Sequence, residues 1–368
     1  MTQLTSALDE LWQNLTTYKI VAGTRPGISV LDSPWYVKTL LAFSGWVAAI
    51  FLMGFVGAVF AFAFKYALVS CFLGCVLIGI AYYFLSRPKN EFLAHLALAI
   101  SLAGQGLIAW GVLEPLHRSV PLCALIIGAM HLLLTVIMPN FIHRVFSSFS
   151  AACALYVGFV FSASSGYHFS PTAEATVIAF IAYVMSWLWI NEFRFSNKLS
   201  LTCAAGYGST LALLVLKSIS VFGVYMHAGV LIKADSNLIL RGWLGEILLV
   251  AVLMWVVIHI LHGMKNAPTR VIPIALGGAL VIGLMSIKAP GITIGMLIML
   301  LGFHSRNRVL SALGIVALIG YTSRYYYFLD QTLAAKAGTL LILGFVLLVV
   351  RFSLIRTANA KTVNPGVR

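Results

Sequence analysis

Twelve apolar runs, each bounded by charges, prolines or glycine clusters, follow one another between residues 39 and 350. A helix needs about 20 mostly apolar residues to cross the ~30 Å hydrocarbon core of a bilayer. A chain made of such runs cannot bury them all in one water-soluble core, because single cores stop growing well before this apolar content. Charge is correspondingly scarce. Asp, Glu, Lys and Arg make up 9% of the 368 residues and hydrophobic types 61%, whereas soluble domains are about a quarter charged. The sequence therefore predicts an all-α, polytopic integral membrane bundle of about 12 transmembrane helices. The expected spans are 39–62, 66–85, 92–113, 120–138, 146–163, 176–190, 199–216, 243–263, 271–287, 291–303, 309–327 and 332–350. Residues 1–38 precede this membrane domain (39–350) and residues 351–368 form a tail.

Orientation follows from the cations. Sorting the 24 Lys and Arg residues into alternate loops puts sixteen, from Lys19 to Arg368, on the side of the N-terminus. The other eight, including Lys65, Lys217, Arg324 and Lys336, fall on the opposite side. The excess predicts both termini in the cytoplasm. The first 38 residues are polar, contain Asp9, Glu10 and Asp32, and have no leading apolar stretch. No cleavable signal peptide is expected, so the first span takes that role. Within this segment Leu4, Leu8, Leu11, Trp12 and Leu15 recur at helical spacing opposite Asp9, Glu10, Gln13 and Asn14, which predicts a short amphipathic helix. Its acidic polar face suits anionic lipid poorly, leaving a partner protein or this chain's own loops as docking surfaces.

Two regions resist the map. Ser218–Ile232 is apolar but short, which predicts an interfacial or re-entrant segment between residues 217 and 242. The run 291–303 is also short and reads as a half-helix. Irregular backbone, and with it a site, is most expected at these two places.

Several activities are excluded by pattern. The net charge of +14 is spread singly or in pairs through the breaks, unlike the basic patch that tracks a phosphate backbone, so no nucleic acid is expected as partner. The charges suit topology signals and anionic headgroups, with the lipid bilayer as the obligatory partner. The five cysteines lie inside apolar runs without a CxxC pair and read as small core residues. No P-loop, HExxH, GxSxG or Rossmann glycine pattern occurs. No catalytic, cofactor-binding or metal-ligating set is expected.

Polar groups at membrane depth are then the candidates. Every acidic residue falls in an expected loop or within about a turn of a span end, which argues against a cation-coupled carrier, since ion binding at depth needs charge there. His131 is the deepest ionisable group on this map, suited to proton relay or substrate contact. A neutral imidazole hydrogen-bonded to a neighbouring helix is the simpler account. His95 and Gln105 share a span but lie some 15 Å apart along it at 1.5 Å per residue, and inter-helix hydrogen bonds suffice for them. His259 and His262 lie one turn apart, a spacing that can place two ligands on one metal, but no third ligand accompanies them and interfacial histidines are the better reading. Around the last hairpin Arg324, Tyr325, Tyr326, Tyr327, Asp330 and Lys336 cluster, either as a polar pocket or partner surface or as an aromatic belt with an Arg324–Asp330 ion pair. Ala204, Gly208, Gly277, Gly278 and Gly283 are small residues that permit close helix approach.

The stretch Ser33-Pro34-Trp35-Tyr36-Val37-Lys38, leading into Leu40–Gly57 with Gly45-Trp46, resembles the opening of a bacterial family of multi-pass membrane proteins of unknown function. Residues 302–327, GFHSRNRVLSALGIVALIGYTSRYYY, with Leu329, Leu333 and Lys336 after them, resemble its closing signature. The resemblance implies a bacterial inner-membrane location. It also implies a partner, since such proteins are often encoded beside small membrane-anchored proteins bearing a GDYXXLXY motif, and it transfers no catalytic residue. The expected function is a membrane scaffold or partner subunit for such an anchored protein. A small-solute transporter or exporter is the alternative, and an enzyme comes third.

Overall fold

A computed structural model describes residues 65–87, 91–116, 119–162, 171–228, 236–263, 271–287 and 289–328, with isolated positions between 10 and 58 and between 332 and 352. Among these residues every regular element is helical. The helices are α1 (Ala67–Ser86), α2 (Glu91–Leu116), α3 (Val120–Ile137), α4 (Phe141–Ser162) and α5 (Pro171–Ile190). After a 3-10 turn at Glu192–Lys198 come α6 (Leu199–Ala228), α7 (Ser236–Gly263), α8 (Val271–Ser286), α9 (Ile292–His304) and α10 (Arg308–Phe328). Helices α1 to α7 are long and apolar enough to cross a membrane, while α8 and α9 are apolar but shorter. This is a helical membrane protein. The expected spans 39–62 and 332–350 lie outside the continuously described residues, and the isolated positions of the expected amphipathic segment are helical from Glu10 to Thr17.

Local chemistry sets the helix starts. Pro121 stands in the first turn of α3, where its missing N–H costs nothing. Asn140 accepts the backbone N–H of His143 at 3.1 Å, and Asn307 accepts those of Val309 and Leu310, both at 3.1 Å. Such caps satisfy donors that the first helical turn leaves unpaired.

Neighbouring helices pack as hairpins, α1 on α2, α3 on α4 and α9 on α10, while α4 lies against α6 and α7 is held by α5 and α8. Glycines set several of these distances. A Cβ on Gly74 would stand 2.6 Å from the Gly104 carbonyl oxygen, and one on Gly314 2.4 Å from the Met299 nitrogen. Gly208 lies against Ser148 and the Val145 carbonyl of α4, and the Ser148 hydroxyl donates to the Ala204 carbonyl at 3.3 Å. Ala204 and Gly208 thus allow the close approach expected of them. Gly277 does not, because nothing stands within 4 Å of where its Cβ would be.

The main core collects Val160, Ile181, Met185, Leu213, Leu249, Leu253 and the buried face of α9. Ile294, Leu297, Ile298 and Leu301 of α9 are fully buried. At 13 residues α9 is about 20 Å long, short of the ~30 Å hydrocarbon core. A short helix at membrane depth is tolerated when protein surrounds it, and α5, α7, α8 and α10 all touch this one.

Two sequence expectations need correction. The segment beginning at residue 217 is not a loop followed by an interfacial or re-entrant piece: α6 runs without a break from Leu199 through Lys217 to Ala228. A lone charge does not end a helix whose backbone and flanking apolar residues favour continuing it, provided the charge finds a buried partner. Arg144, counted as a loop residue, lies in the first turn of α4. Its Nε donates to the Met138 carbonyl at 2.6 Å and its Nη1 to the Ser200 hydroxyl at 3.3 Å, so it satisfies a carbonyl just past the end of α3.

Candidate functional site

The last turn of α8 and the first turn of α9 meet α6 and α7 well inside those two helices, 11 residues before the end of α6 and 10 residues after the start of α7. Lys217 projects from α6 and Glu246 from α7. Their Nζ and Oε1 atoms meet at 2.6 Å, with the two residues 6% and 2% exposed. The second carboxylate oxygen accepts a hydrogen bond from the Ser286 hydroxyl at the end of α8, at 2.9 Å. The Thr293 hydroxyl lies 3.5 Å from the same oxygen, and the Thr293 backbone N–H donates to the Ser286 oxygen at 3.3 Å. Every neighbour of the carboxylate in this network is therefore a donor.

Thr293 is the second residue of α9, so the negative charge sits at the start of a short buried helix. Unpaired N–H groups and the helix dipole favour an anion there. The turn into α9 is built for close approach. Gly291 has φ +101, a left-handed conformation open to glycine at little cost. A side chain there would lie 2.6 Å from the Tyr321 ring. Tyr321 reaches back to α6, its hydroxyl 3.4 Å from both the Leu214 carbonyl and the Ser218 hydroxyl. Val221, Ile282, Ala289, Ile292, Tyr321 and Tyr325 form a separate small apolar cluster beside this site.

A second polar cluster is neutral and closed. His143 of α4 sits between Ser101 at 2.7 Å and Gln105 at 3.1 Å from its Nε2, and Ser147 at 3.2 Å from its Nδ1. Gln105 also donates to Ser101 at 3.1 Å. This is the inter-helix hydrogen bonding expected of Gln105.

The residues singled out from sequence fall in different places. His131 is 8% exposed on α3, and its Nδ1 is buried without a hydrogen-bond partner. It lines a groove of about 320 Å³ between α3 and α4, away from Glu246. Arg324 and Tyr326 are half-buried one turn or so beyond Tyr321 on α10, on the side of the bundle that carries Glu246. Asp330 and Lys336 lie outside the described residues. Tyr327 is exposed, whereas Tyr325 is 5% exposed inside the small cluster with Tyr321. Among the described residues no group of three or more His, Cys, Asp or Glu side chains is placed to hold a metal.

Residues 34–357 match the model of one protein family, Domain of unknown function (DUF4401). The chain belongs to the DUF4401 family. No curated protein and no solved structure matches it. In this DUF4401 protein the group missed from sequence is Lys217 with Glu246, Ser286 and Thr293. One signal was present: Lys217 stands alone between the apolar stretches LALLVL and SISVFGV, and a solitary cation in such surroundings demands a buried counter-charge.

Proposed function

We propose that this protein carries a small anionic solute across the membrane, with Lys217 and Glu246 as its coupling site. One observation supports this above others: a buried carboxylate ringed by donors, Lys217, Ser286 and Thr293, at the start of a short helix. Glu246 is a carboxylate buried inside the bundle, which supports a carrier even though every acidic residue is expected in a loop or near a span end. Proton addition to Glu246 would release Lys217 and the α9 N-terminus to a solute carboxylate or phosphate. The pair would thereby exchange an internal anion for an external one. With about twelve spans and both termini in the cytoplasm of a bacterial inner membrane, the site lies toward the outer face.

Uptake by the purified protein in liposomes tests this. With an imposed pH gradient, one or more of acetate, lactate, succinate and phosphate is expected to accumulate above protein-free liposomes, and Glu246→Gln is expected to abolish the pH dependence. No flux for any of the four, or pH-dependent flux unchanged in E246Q, would sink the carrier.

The partner-subunit reading stands second. Leu68, Phe72, Val76, Ile80 and Tyr83 form an exposed apolar stripe along α1, a face suited to lipid or to the membrane helix of an anchored GDYXXLXY protein. Co-purification in mild detergent decides it, and recovery of the chain without a cross-linked neighbour of that type would remove the reading.

A further inference from the structure

An ion pair that trades one partner for a solute needs a way in, and the helices around Lys217 close against one another unequally. Helix α6 packs along α4 and α5. Toward α9 and α10 it faces a seam that polar side chains bridge at two levels. At the first, the Tyr207 hydroxyl of α6 lies 2.9 Å from Oδ1 and 2.7 Å from Nδ2 of Asn307, in the turn between α9 and α10. Asn307 is itself fixed there by accepting the backbone N–H groups of Val309 and Leu310. The second level lies two to three turns further along α6, about 10–16 Å away at 1.5 Å per residue. Here Tyr321 of α10 spans the seam, its hydroxyl 3.4 Å from the Leu214 carbonyl and from the Ser218 hydroxyl.

These two bridges differ in strength. Separations of 2.7 and 2.9 Å belong to well-formed hydrogen bonds, whereas 3.4 Å is at their long edge. Tyr321 also stands beside the ion pair. It touches Ser218, the residue after Lys217, and its ring lies against Gly291, two residues before Thr293, where a Cβ would come within 2.6 Å. Next to it Val221, Ala289, Ile292 and Tyr325 form a cluster separate from the main core. On the Asn307 side the main core itself fills the space, with Leu213 and Leu216 of α6 joined to Leu297, Ile298 and Leu310. Entry on the Asn307 side therefore requires parting the main core and two short polar contacts. Entry past Tyr321 requires only that one phenol leave two long contacts, and a helical aromatic residue has a second χ1 well to move into.

We propose that Lys217 and Glu246 are reached through the seam between α6 and α10, with Tyr321 as the residue that opens it and Tyr207 with Asn307 as the fastening that keeps the other end shut. This rests on the carrier reading of the same pair and adds the route its solute takes. The structure is then the closed form, in which Lys217 is 6% and Glu246 2% exposed.

The distance between the two charges supplies a test that needs no solute. A water-soluble carbodiimide turns a carboxylic acid into an acylisourea, and an amine at contact distance displaces the urea to leave an amide. A reagent that reaches Glu246 therefore joins it to Lys217, whose Nζ is 2.6 Å away, and mass spectrometry of the digested full-length protein finds the two peptides linked with the loss of one water. Tyr321→Ala is expected to form this link at least fivefold faster than the unaltered protein. Tyr321→Phe and Ser218→Ala, which keep the ring on Gly291 and remove only polar contact with α6, should each accelerate it by roughly twofold, and Tyr207→Phe should leave it unchanged. Rates that ignore all three changes at Tyr321 and Ser218, or a larger acceleration in Y207F than in any of them, would overturn the route. The Y321F and S218A proteins carry the test where Y321A does not fold. Linking that depends on Tyr321 in a protein that moves none of the four anions keeps the route and removes the carrier, whereas anion flux with linking indifferent to Tyr321 removes the route alone.

Discussion

The two polar clusters inside this bundle solve one problem in opposite ways. Around His143 the groups are neutral, come from α2 and α4, and close on one another at 2.7 to 3.2 Å. Around Glu246 an ion pair is joined by two hydroxyls, and the groups come from four helices and meet where one of those helices begins. Neutral hydrogen bonds inside a membrane bundle are worth about 0.6 kcal/mol on average, because unfolded spans also find partners in lipid. A buried ion pair brings two charges whose isolation costs far more than their contact gains. The first cluster is thus a fastening that the fold can lose, while the second binds α6, α7, α8 and α9 into one electrostatic unit.

The contrast breaks most readily at the charged end. Glu246→Leu or Lys217→Leu alone is expected to lower stability by about 3–5 kcal/mol, since each leaves the other charge buried and unpaired. The double variant should recover most of that loss while remaining inactive in the anion-uptake assay. Reversible unfolding in mixed micelles measures both, and additive losses in the double variant would show that the pair does not act as a unit. Gly291→Ala should cost about 1–3 kcal/mol by placing a side chain in a left-handed conformation against Tyr321. The same unfolding measurement reads it, and a neutral result would mean that the turn has an easy alternative. His143→Ala should cost no more than about 1–2 kcal/mol, and equality with Glu246→Leu would erase the contrast. Ser147→Ala, which removes one neutral partner of His143, should cost about 0.6 kcal/mol or less, near the resolution of the unfolding curves.

Hydropathy made most of the helices legible. The expected runs at 66–85, 120–138, 243–263 and 309–327 each fall within about two residues of the corresponding helix or its apolar window. The limits were chemical. Treating each charge as the end of a span cut α6 at Lys217, although its neighbours are apolar on both sides. Thr293, in the half-helix expected near 291, and Lys217, where the doubtful stretch begins, both contact Glu246. Sequence spacing could not reveal that meeting, because Lys217, Glu246, Ser286 and Thr293 are brought together only by helices alternating across the membrane. His131 was legible as a deep polar residue, but the groove beside it depends on how far apart α3 and α4 stand.

The shortness of α9 bears on how such a chain is made. A 13-residue helix followed at once by Arg306 and Arg308 gives a translocation channel a weak signal for release into lipid. Its N-terminal turn also gains its polar companions from Ser286 and Glu246, which are synthesised earlier. We therefore expect α9 and α10 to enter as one hairpin after α5 to α8 have been laid down to receive them. On that view biogenesis proceeds by templating, and a ribosome stalled before α10 would leave α9 unanchored on the exit side of the channel.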